Sequence, residues 1–268
     1  MMQIGLAGFG AIGRRVAVLV EQGLPGAALA AITSRDLDSA RASARELLRN
    51  VPPVTSLDEA VARADVIVEA APAAAFPAIA AAVLGRGKTL LAVSVGALLD
   101  RQEEYTAAAA RHGGRIHIAS GAIGGLDAIA AAREGRIESV TMVTRKPPRG
   151  LAGAPYLEQH RIDVMALEQP AVVFDGTARE ATRGFPANVN VAVAVSLAGI
   201  GPDRTRVRII ADPTVTRNTH DVEVTGDFGR LTVHIENTPS ANPRTGVLTA
   251  QSVVATLRKL ISPVRIGT

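Results

Sequence analysis

The sequence predicts an α/β protein: a doubly wound parallel sheet in the N-terminal half, then a second, smaller α+β domain with a mixed or antiparallel sheet. In the first half, short apolar runs alternate with helical stretches at the spacing of right-handed βαβ units. In the second half, strands with period-two alternation are joined by tight turns, which is typical of antiparallel pairing. Hydrophobic residues make up 47% of the 268 residues and aromatic residues only 3%. A core of small aliphatic side chains suits a parallel sheet covered by helices.

The first half of the chain contains five predicted strands separated by helices. The predicted strands are Gln3–Ala7, Ala28–Thr33, Asp65–Ala70, Thr89–Val95 and Arg115–Ala119. The predicted helices are Ala11–Gln22, Leu37–Leu48, Asp58–Arg63, Ala73–Leu84 and Asp100–His112. We therefore expect residues 1–120 to form one domain.

The second half begins where this alternation stops, near residue 121. Its predicted strands are Ile137–Arg145, Thr205–Ala211, Asp221–Thr225 and Leu231–Glu236, and the last two are joined by a hairpin turn at residues 226–229. A helix is predicted over Ala187–Ala198, with Pro186 near its first turn. We expect residues 121–245 to form the second domain. A last helix within residues 246–268, predicted over Thr249–Ile261, is expected to pack back on the first domain.

Composition excludes several classes of function. The chain has no cysteine, which excludes disulfides, thiolate metal sites and cysteine nucleophiles, and no metal site is predicted. The net charge of +4 comes from 29 basic and 25 acidic residues with scattered arginines, so nucleic acid is not an expected partner. The N-terminus lacks a secretion signal, and no apolar run is long enough to span a membrane. We expect a cytoplasmic protein without a membrane partner.

A glycine-rich turn after the first strand is the strongest local signal. Gly8, Gly10 and Gly13 form the pattern G-x-G-x-x-G between a strand and a helix. In a Rossmann domain, the first glycine permits the tight turn, the second admits a pyrophosphate and the third allows close helix packing. The pattern predicts binding of NAD or NADP by these glycines and by Ala11 and Ile12 at the start of the helix.

The end of the second strand bears on the choice between NAD and NADP. An acidic residue about 20 positions after the glycines would bind the ribose 2′-hydroxyl of NAD. Here Ser34 and Arg35 occupy that end, and Asp36 follows one or two residues late. Ser34 and Arg35 are candidate ligands for a 2′-phosphate. Use of NADP, or of both cofactors, is favoured over strict use of NAD.

Several segments of the second half, in their order along the chain, resemble those of a known family. Together with the glycine turn they resemble the L-aspartate dehydrogenase family over nearly the whole chain. The region between Leu151 and Gly176 matches least. The segments are Ser120–Ala128, Thr144–Pro148, Phe185–Ala192, Ser196–Gly201, Ala211–Pro213, Asn218–Val222 and Asn237–Pro243.

The resemblance implies a reaction and a set of site residues. The reaction is the reversible, NAD- or NADP-dependent oxidation of L-aspartate to iminoaspartate, which yields oxaloacetate and ammonium. A homodimer and a role in feeding NAD biosynthesis are also implied. The resemblance assigns catalysis to His220 and cofactor contacts to Ala122 and Asn190. Asn190 also has a purely structural interpretation, because asparagine near a helix N-terminus satisfies backbone groups.

The histidine of the predicted strand 221–225 stands out from the residues alone. His220 precedes Val222 and Val224 at a spacing of two, so the three share the inward face, whereas His234 is expected on an exposed face. A partly buried yet reachable imidazole suits proton transfer near neutral pH. We expect His220 to titrate within a unit or two of the free histidine value, ~6.5.

A substrate with two carboxylates requires cationic or amide donors. Lys146 is the first candidate, since it ends a strand before Pro147 and Pro148, and Asn188 is a second candidate. Arg145 and Arg244 are further cations to consider.

Two other classes of function remain open from the sequence. The first is another two-domain reductase, similar to dihydrodipicolinate reductase or homoserine dehydrogenase. The second is a dinucleotide-sensing protein that binds the cofactor without turnover, for which the loss of His220 would carry no penalty.

Overall fold

The computed structural model describes residues 1–238 and 246–267. The chain divides into two compact units. Unit 1 comprises Met1–Gly121 and Thr249–Arg265, and unit 2 comprises Ala122–Leu248 with Ile266–Thr268. Among the helices of the described residues, none is long and apolar enough to cross a membrane.

Unit 1 contains a five-stranded sheet in which every strand pair is parallel. The strand order is β2-β1-β3-β4-β5, so the chain moves to one side of β1 first and then crosses to the other side. This order confirms the doubly wound sheet that the alternation predicts. The strands are β1 (Met2–Ala7), β2 (Ala27–Thr33), β3 (Val66–Glu69), β4 (Thr89–Ala92) and β5 (Arg115–Ile118).

Two helices of unit 1 begin at a side-chain cap, and helices of this unit bury small apolar side chains against the sheet. Asp36 accepts a hydrogen bond from the Ser39 backbone, and Ser56 from the Glu59 backbone, at two of these starts. Val16 and Ala44 lie in one core cluster with strand residues of β1 and β2. The helices are α1 (Ala11–Gly23), α2 (Leu37–Leu47), α3 (Leu57–Arg63), α4 (Phe76–Leu84), α5 (Val95–Leu99) and α6 (Gln102–His112).

The fourth strand is shorter than the sequence predicts. The predicted strand Thr89–Val95 is wrong at its end, because β4 stops at Ala92 and α5 begins at Val95. The backbone N–H groups of Val93 and Ser94 donate to the side chain of Glu69. The Val93 N–H also donates to the Glu69 backbone carbonyl, so the Ser94 N–H is the donor that the side chain takes alone where the strand ends.

Unit 2 contains a five-stranded mixed sheet with the order β10-β9-β6-β8-β7. Strands β6 and β8 are parallel, and the other neighbours are antiparallel. This confirms the predicted mixed sheet. The strands are β6 (Ile137–Lys146), β7 (Ala171–Thr177), β8 (Thr205–Ala211), β9 (Asn218–Gly226) and β10 (Gly229–Asn237).

Helices cover the apolar face of this sheet, and Phe185 and Val195 join Met142, Val207 and Val222 in its core. The sequence did not predict β7, the helix that follows it, whose first turn is fixed by a capping box, or the two short helices that precede β6 and β7. The helices of unit 2 are α7 (Leu126–Ala132), α8 (Pro155–Gln159), α9 (Ala178–Gly184) and α10 (Asn190–Ala198).

The predicted helix Ala187–Ala198 is wrong at its beginning. Pro186 lies in a turn, and α10 starts at Asn190. Asn190 is thus the first residue of the helix and not a residue of a turn begun by Pro186.

The last helix, α11 (Val247–Ile261), belongs to unit 1 from Thr249 onward. Its residues Val253 and Leu257 are fully buried in the same cluster as Ile4 and Val20. The apolar stripe of this helix therefore completes the core of unit 1.

Candidate active site

The turn after β1 is the candidate cofactor site of unit 1. Gly8 has a φ of +104°, and a Cβ added there would lie 2.5 Å from the Ala70 carbonyl oxygen. A Cβ on Gly13 would collide with the Gly8 carbonyl oxygen. Both glycines are therefore required by contacts within the protein itself.

Gly10 differs from the other two glycines because nothing in the protein requires it. It is exposed, and a Cβ there would meet no atom of the described residues within 4 Å. Gly10 is the N-cap of α1, with no side-chain cap and no acidic residue in the first turn. The N–H groups at exposed Ala11 and half-buried Ile12 thus lie in a turn suited to an anion. This geometry fits the pyrophosphate of a dinucleotide.

This contrast gives a paired prediction. Gly10→Val should leave the fold intact and weaken binding of NADH and NADPH at least roughly tenfold, since the branched side chain occupies the pyrophosphate position. Gly13→Ala should instead lower the melting temperature, because its methyl group meets the Gly8 backbone. Cofactor titration and thermal unfolding of both variants check this. Wild-type cofactor affinity in Gly10→Val would contradict the assignment of the turn.

The end of β2 lies beside this turn, since the Gly8 backbone N–H donates to the Thr33 carbonyl. Ser34 is half-buried and Arg35 is exposed. Among the described residues, none forms a hydrogen bond or ion pair with the Arg35 side chain. Asp36 accepts the Ser39 backbone N–H at 2.9 Å as the N-cap of α2. The nearest acidic side chain is therefore engaged in capping, while Arg35 has its donors available.

Unit 2 holds a cluster of buried polar side chains at the end of β6 and the start of β9. Thr144 and His220 are directly paired across the two strands, and Thr144 Oγ1 lies 3.1 Å from His220 Nδ1. Lys146, two residues along the same face of β6, donates from Nζ to Asn188 Oδ1 at 2.9 Å. The structure thus brings together three residues that the sequence singled out, His220, Lys146 and Asn188. It adds Thr144, which the strand pairing identifies only once the register is known.

Lys146 is a buried cation whose protein partner is neutral. The side chain is 4% exposed, and within the described part of the chain no carboxylate lies at ion-pair distance from its Nζ. Burial lowers the pKa of Lys146 to about 8. An uncompensated buried ammonium is costly, so this position favours an anionic ligand.

His220 is more deeply buried than the sequence suggested. It is 3% exposed, and burial, with the charge of Lys146 as a second cause, lowers its pKa to about 3. The expectation that His220 titrates near ~6.5 is therefore wrong for this state of the protein. The inward orientation is confirmed, since Val222 and Val224 are buried on the same face. His234 is exposed, as predicted.

Arg145 points away from this cluster and has its own partner. Its guanidinium pairs with Asp212 at 2.5 Å, and Asp212 also accepts from the backbone and hydroxyl of Thr214. The Asp212 backbone N–H donates to the Lys146 carbonyl, so the ion pair lies where β6 and β8 end together. The charge of Arg145 is therefore paired within the protein, and Arg244 lies outside the described residues.

The two remaining predicted contacts lie on different elements of unit 2. Ala122 is buried next to Gly121, which has a φ of +66°, and its carbonyl accepts a hydrogen bond from Asn237 Nδ2 at 3.1 Å. Asn190 is half-buried at the first position of α10. Across the described ranges, no group of three acidic or histidine side chains could hold a metal ion.

The sequence was also compared with protein families and solved structures. The family model "Homoserine dehydrogenase, NAD binding domain" matches residues 8–119, and "Aspartate dehydrogenase, C-terminal" matches residues 127–260. The chain is 50% identical to L-aspartate dehydrogenase 3 of Bordetella bronchiseptica over 99% of this chain and 97% of that protein. It is 49% identical to L-aspartate dehydrogenase of Bradyrhizobium diazoefficiens, over 100% of this chain and 94% of that protein.

A solved structure agrees with these relatives. The crystal structure of aspartate dehydrogenase from Thermotoga maritima superimposes with a TM-score of 0.74 at 25% identity, covering 100% of both chains. Together with the nucleotide-binding turn, these matches identify an oxidoreductase with a pyridine nucleotide cofactor and confirm the resemblance that the sequence motifs carry. The chain belongs to the L-aspartate dehydrogenase family.

Proposed function

We propose that this protein catalyses the NAD- or NADP-dependent oxidative deamination of L-aspartate. The overall reaction is L-aspartate, water and oxidised cofactor to oxaloacetate, ammonium, reduced cofactor and a proton, with iminoaspartate as the intermediate. The observation that carries this proposal is the buried ammonium of Lys146, which has no carboxylate partner among the described residues and shares a cluster with a neutral imidazole. A dicarboxylate supplies the missing negative charge.

Lys146 and Asn188 are the proposed substrate contacts. The Lys146 ammonium has three donors, of which one is engaged by Asn188 Oδ1. The other two suit one carboxylate of aspartate, and the amide N–H groups of Asn188 supply further donors beside it. A substrate carboxylate here raises the pKa of Lys146, because an opposite charge favours the ammonium form.

His220 is the proposed proton acceptor. When Nδ1–H donates to Thr144 Oγ1, the lone pair of Nε2 is left for a substrate proton. In the unliganded protein the pKa of His220 is about 3, which makes it a weak base. A bound substrate carboxylate neutralises the charge of Lys146 and so removes one cause of that low pKa. Substrate binding therefore makes His220 a better base.

The steps of the reaction divide between cofactor and protein. A bound oxidised nicotinamide would supply the acceptor for the hydride of the substrate Cα. His220 takes a proton from the substrate amine, and the resulting iminium carbon is attacked by water. His220 then passes protons between the added hydroxyl and the leaving ammonia. Lys146 and Asn188 hold the carbon skeleton throughout, which fixes the amine-bearing carbon for transfer.

We further propose that NADP, or both cofactors, are used, with Ser34 and Arg35 as ligands of the 2′-phosphate. Arg35→Ala should weaken NADPH binding by roughly 1.5–3 kcal/mol, the cost of a lost charged hydrogen bond, and leave NADH binding nearly unchanged. Titration of both reduced cofactors measures the difference. Equal changes for the two would make Arg35 an ordinary surface residue.

Several wider assignments rest on the family. We propose that the domain of residues 1–120 binds the cofactor through its glycine turn, with contacts from Gly8, Gly10, Ala11, Ile12 and Gly13. We propose that residues 121–245 carry the substrate site and a homodimer surface, and that residues 246–268 complete the first domain. Contacts of Ala122 and Asn190 with the cofactor, a cytoplasmic location and a role in NAD biosynthesis belong to the same proposal. Light scattering in solution tests the dimer.

The decisive assay follows reduced cofactor formation with L-aspartate beside D-aspartate, L-glutamate, L-alanine and L-homoserine. We expect turnover with L-aspartate far above the others, with either cofactor. Preferential oxidation of L-homoserine would replace this proposal with the alternative reductase. Cofactor binding without turnover of any of these substrates would favour a dinucleotide sensor.

A further inference from the structure

The last residue of β3, Glu69, is a completely buried carboxylate. The backbone N–H groups of Val93 and Ser94 donate to its Oε2 at 3.2 and 2.9 Å. The Ala71 N–H donates to Oε1 at 3.1 Å, and the Ser94 hydroxyl lies 3.0 Å from the same oxygen. Burial raises the pKa of Glu69, and these hydrogen bonds oppose that rise. Glu69 is therefore a buried acid at the end of a strand whose other residues are apolar.

The donors of Ala71 and Ser94 belong to loops, and the Val93 N–H is shared between the Glu69 carboxylate and the Glu69 backbone carbonyl, both at 3.2 Å. Ala71 lies in the connection that follows β3, and Val93 and Ser94 form the connection between β4 and α5. The Ser94 hydroxyl also lies 3.1 Å from the Ala71 carbonyl, which links the two loops to each other. One carboxylate therefore fixes the backbone of two adjacent loops.

The first of these loops also forms the wall of the glycine turn. A Cβ on Gly8 would lie 2.5 Å from the Ala70 carbonyl oxygen and 2.6 Å from the Ala71 nitrogen. The Ala70 N–H in turn donates to the Ala7 carbonyl at the end of β1. A shift of the Ala70–Ala71 segment is thus transmitted directly to the glycine turn.

The position of these loops at the carboxyl ends of β3 and β4 indicates which part of a ligand they would contact. In an open parallel sheet, ligands bind outside the carboxyl ends of the strands, where the strand order reverses. Here the order β2-β1-β3-β4-β5 reverses between β1 and β3. With the pyrophosphate on the turn after β1 and the adenosine toward β2, the nicotinamide half would extend over the ends of β3 and β4. Glu69 lies at the end of β3.

We propose that Glu69 is a positioning residue for the cofactor: its carboxylate holds the loops after β3 and β4 in the shape that receives the nicotinamide half of the dinucleotide. This inference rests on the pyridine nucleotide site and does not depend on the identity of the substrate. Glu69 itself is covered by the loops, so it acts through their backbone and not by touching the cofactor.

Glu69→Gln is the sharpest variant, because it keeps the shape of the side chain. The amide nitrogen brings two donors toward groups that are themselves donors, so one loop must shift. We expect NADH and NADPH to bind roughly tenfold or more weakly, since an unsatisfied buried group is worth at least that factor. The KM for L-aspartate at saturating cofactor should stay within about twofold of wild type.

Asp65→Asn is the matched control. Asp65 Oδ2 accepts the Gln3 backbone N–H at 2.8 Å at the amino edge of the same sheet, so this variant alters a similar hydrogen bond away from the cofactor. It should bind NADH as the wild type does. Thermal unfolding of each variant reports its stability separately, and a purely structural role would lower stability without changing the affinity of the folded protein for NADH.

Wild-type NADH affinity in folded Glu69→Gln would overturn the proposal. Should Glu69→Gln fail to fold, Glu69→Asp and Ser94→Ala take its place, because each weakens the same contacts without introducing a donor. Unchanged NADH affinity in both would likewise overturn it. Since NADH binding is read directly, the result is independent of whether L-aspartate is turned over.

Discussion

Replacing His220 with asparagine should lower kcat for L-aspartate by at least ~10²-fold, within the range that general acid–base groups contribute. The imidazole is the group of the buried cluster that can both take and return a proton, while Thr144 and Asn188 cannot. Cofactor affinity should stay close to wild type, because the described contacts of His220 lie in unit 2. Steady-state kinetics and NADH titration of the same preparation measure the two effects.

The exposed histidine on the neighbouring strand is the control for this variant. His234 pairs with Asp221 through Nδ1 at 2.5 Å on the other face of the sheet. His234→Ala should therefore leave kcat and KM nearly unchanged. A near-normal kcat in His220→Asn would remove His220 from the mechanism and transfer the proton step to Lys146 or to a bound water.

Much of unit 1 followed from the sequence because local signals determine it. The strand–turn–helix order and the glycine spacing are consequences of backbone geometry, and Gly8 and Gly13 are required by contacts within a few residues of the turn or with the adjacent loop. Periodicity also gave the inward face of β9, on which His220 lies. These features depend on neighbours that the sequence pattern itself fixes.

Features that depend on distant neighbours were not predictable. The pKa of His220 is set by burial and by Lys146, which is 74 positions away in sequence and reaches it only through the pairing of β6 with β9. The hydrogen bond from Lys146 to Asn188 joins a strand to the turn before α10. Glu69 looked like one member of a buried strand until the loops that donate to it were known.

The two element boundaries that the sequence predicted wrongly, the end of β4 and the start of α10, have a common physical cause. At the end of β4 the Ser94 backbone donor bonds to a buried carboxylate, while the Val93 donor is shared between that carboxylate and the Glu69 backbone carbonyl. Before α10, Pro186 begins a turn whose Asn188 N–H bonds to the Phe185 carbonyl, so the helix starts three residues later than predicted. In both places a hydrogen bond outside the regular pattern decides where the element begins or ends.

Replacing Lys146 with methionine should raise the KM for L-aspartate by about 10²-fold or more, because a buried charged hydrogen bond to a carboxylate is worth about 2–5 kcal/mol. The affinity for NADH should be nearly unchanged. Stability should be equal or greater, since methionine keeps the aliphatic stem and removes a buried ammonium that has no carboxylate partner among the described residues. A variant with wild-type KM would exclude Lys146 as a substrate contact, and a marked loss of stability would make its role structural.

The pH dependence of inhibition by a non-reacting dicarboxylate separates the effect of the charge of Lys146 from the effect of its size. Succinate does not titrate in the alkaline range, so its inhibition constant reports the protein groups. The pKa of Lys146 is about 8, below its ordinary value because of burial. Below that pH the ammonium is charged and binds succinate, and above it the neutral amine does not. The inhibition constant should therefore rise as the pH passes through about 8.

The control is Lys146→Arg, which keeps its charge over this range. It should abolish the rise of the inhibition constant, whatever succinate affinity its larger head group permits. A rise that persists in the arginine variant would assign the titration to another group and remove the electrostatic basis for substrate binding at Lys146.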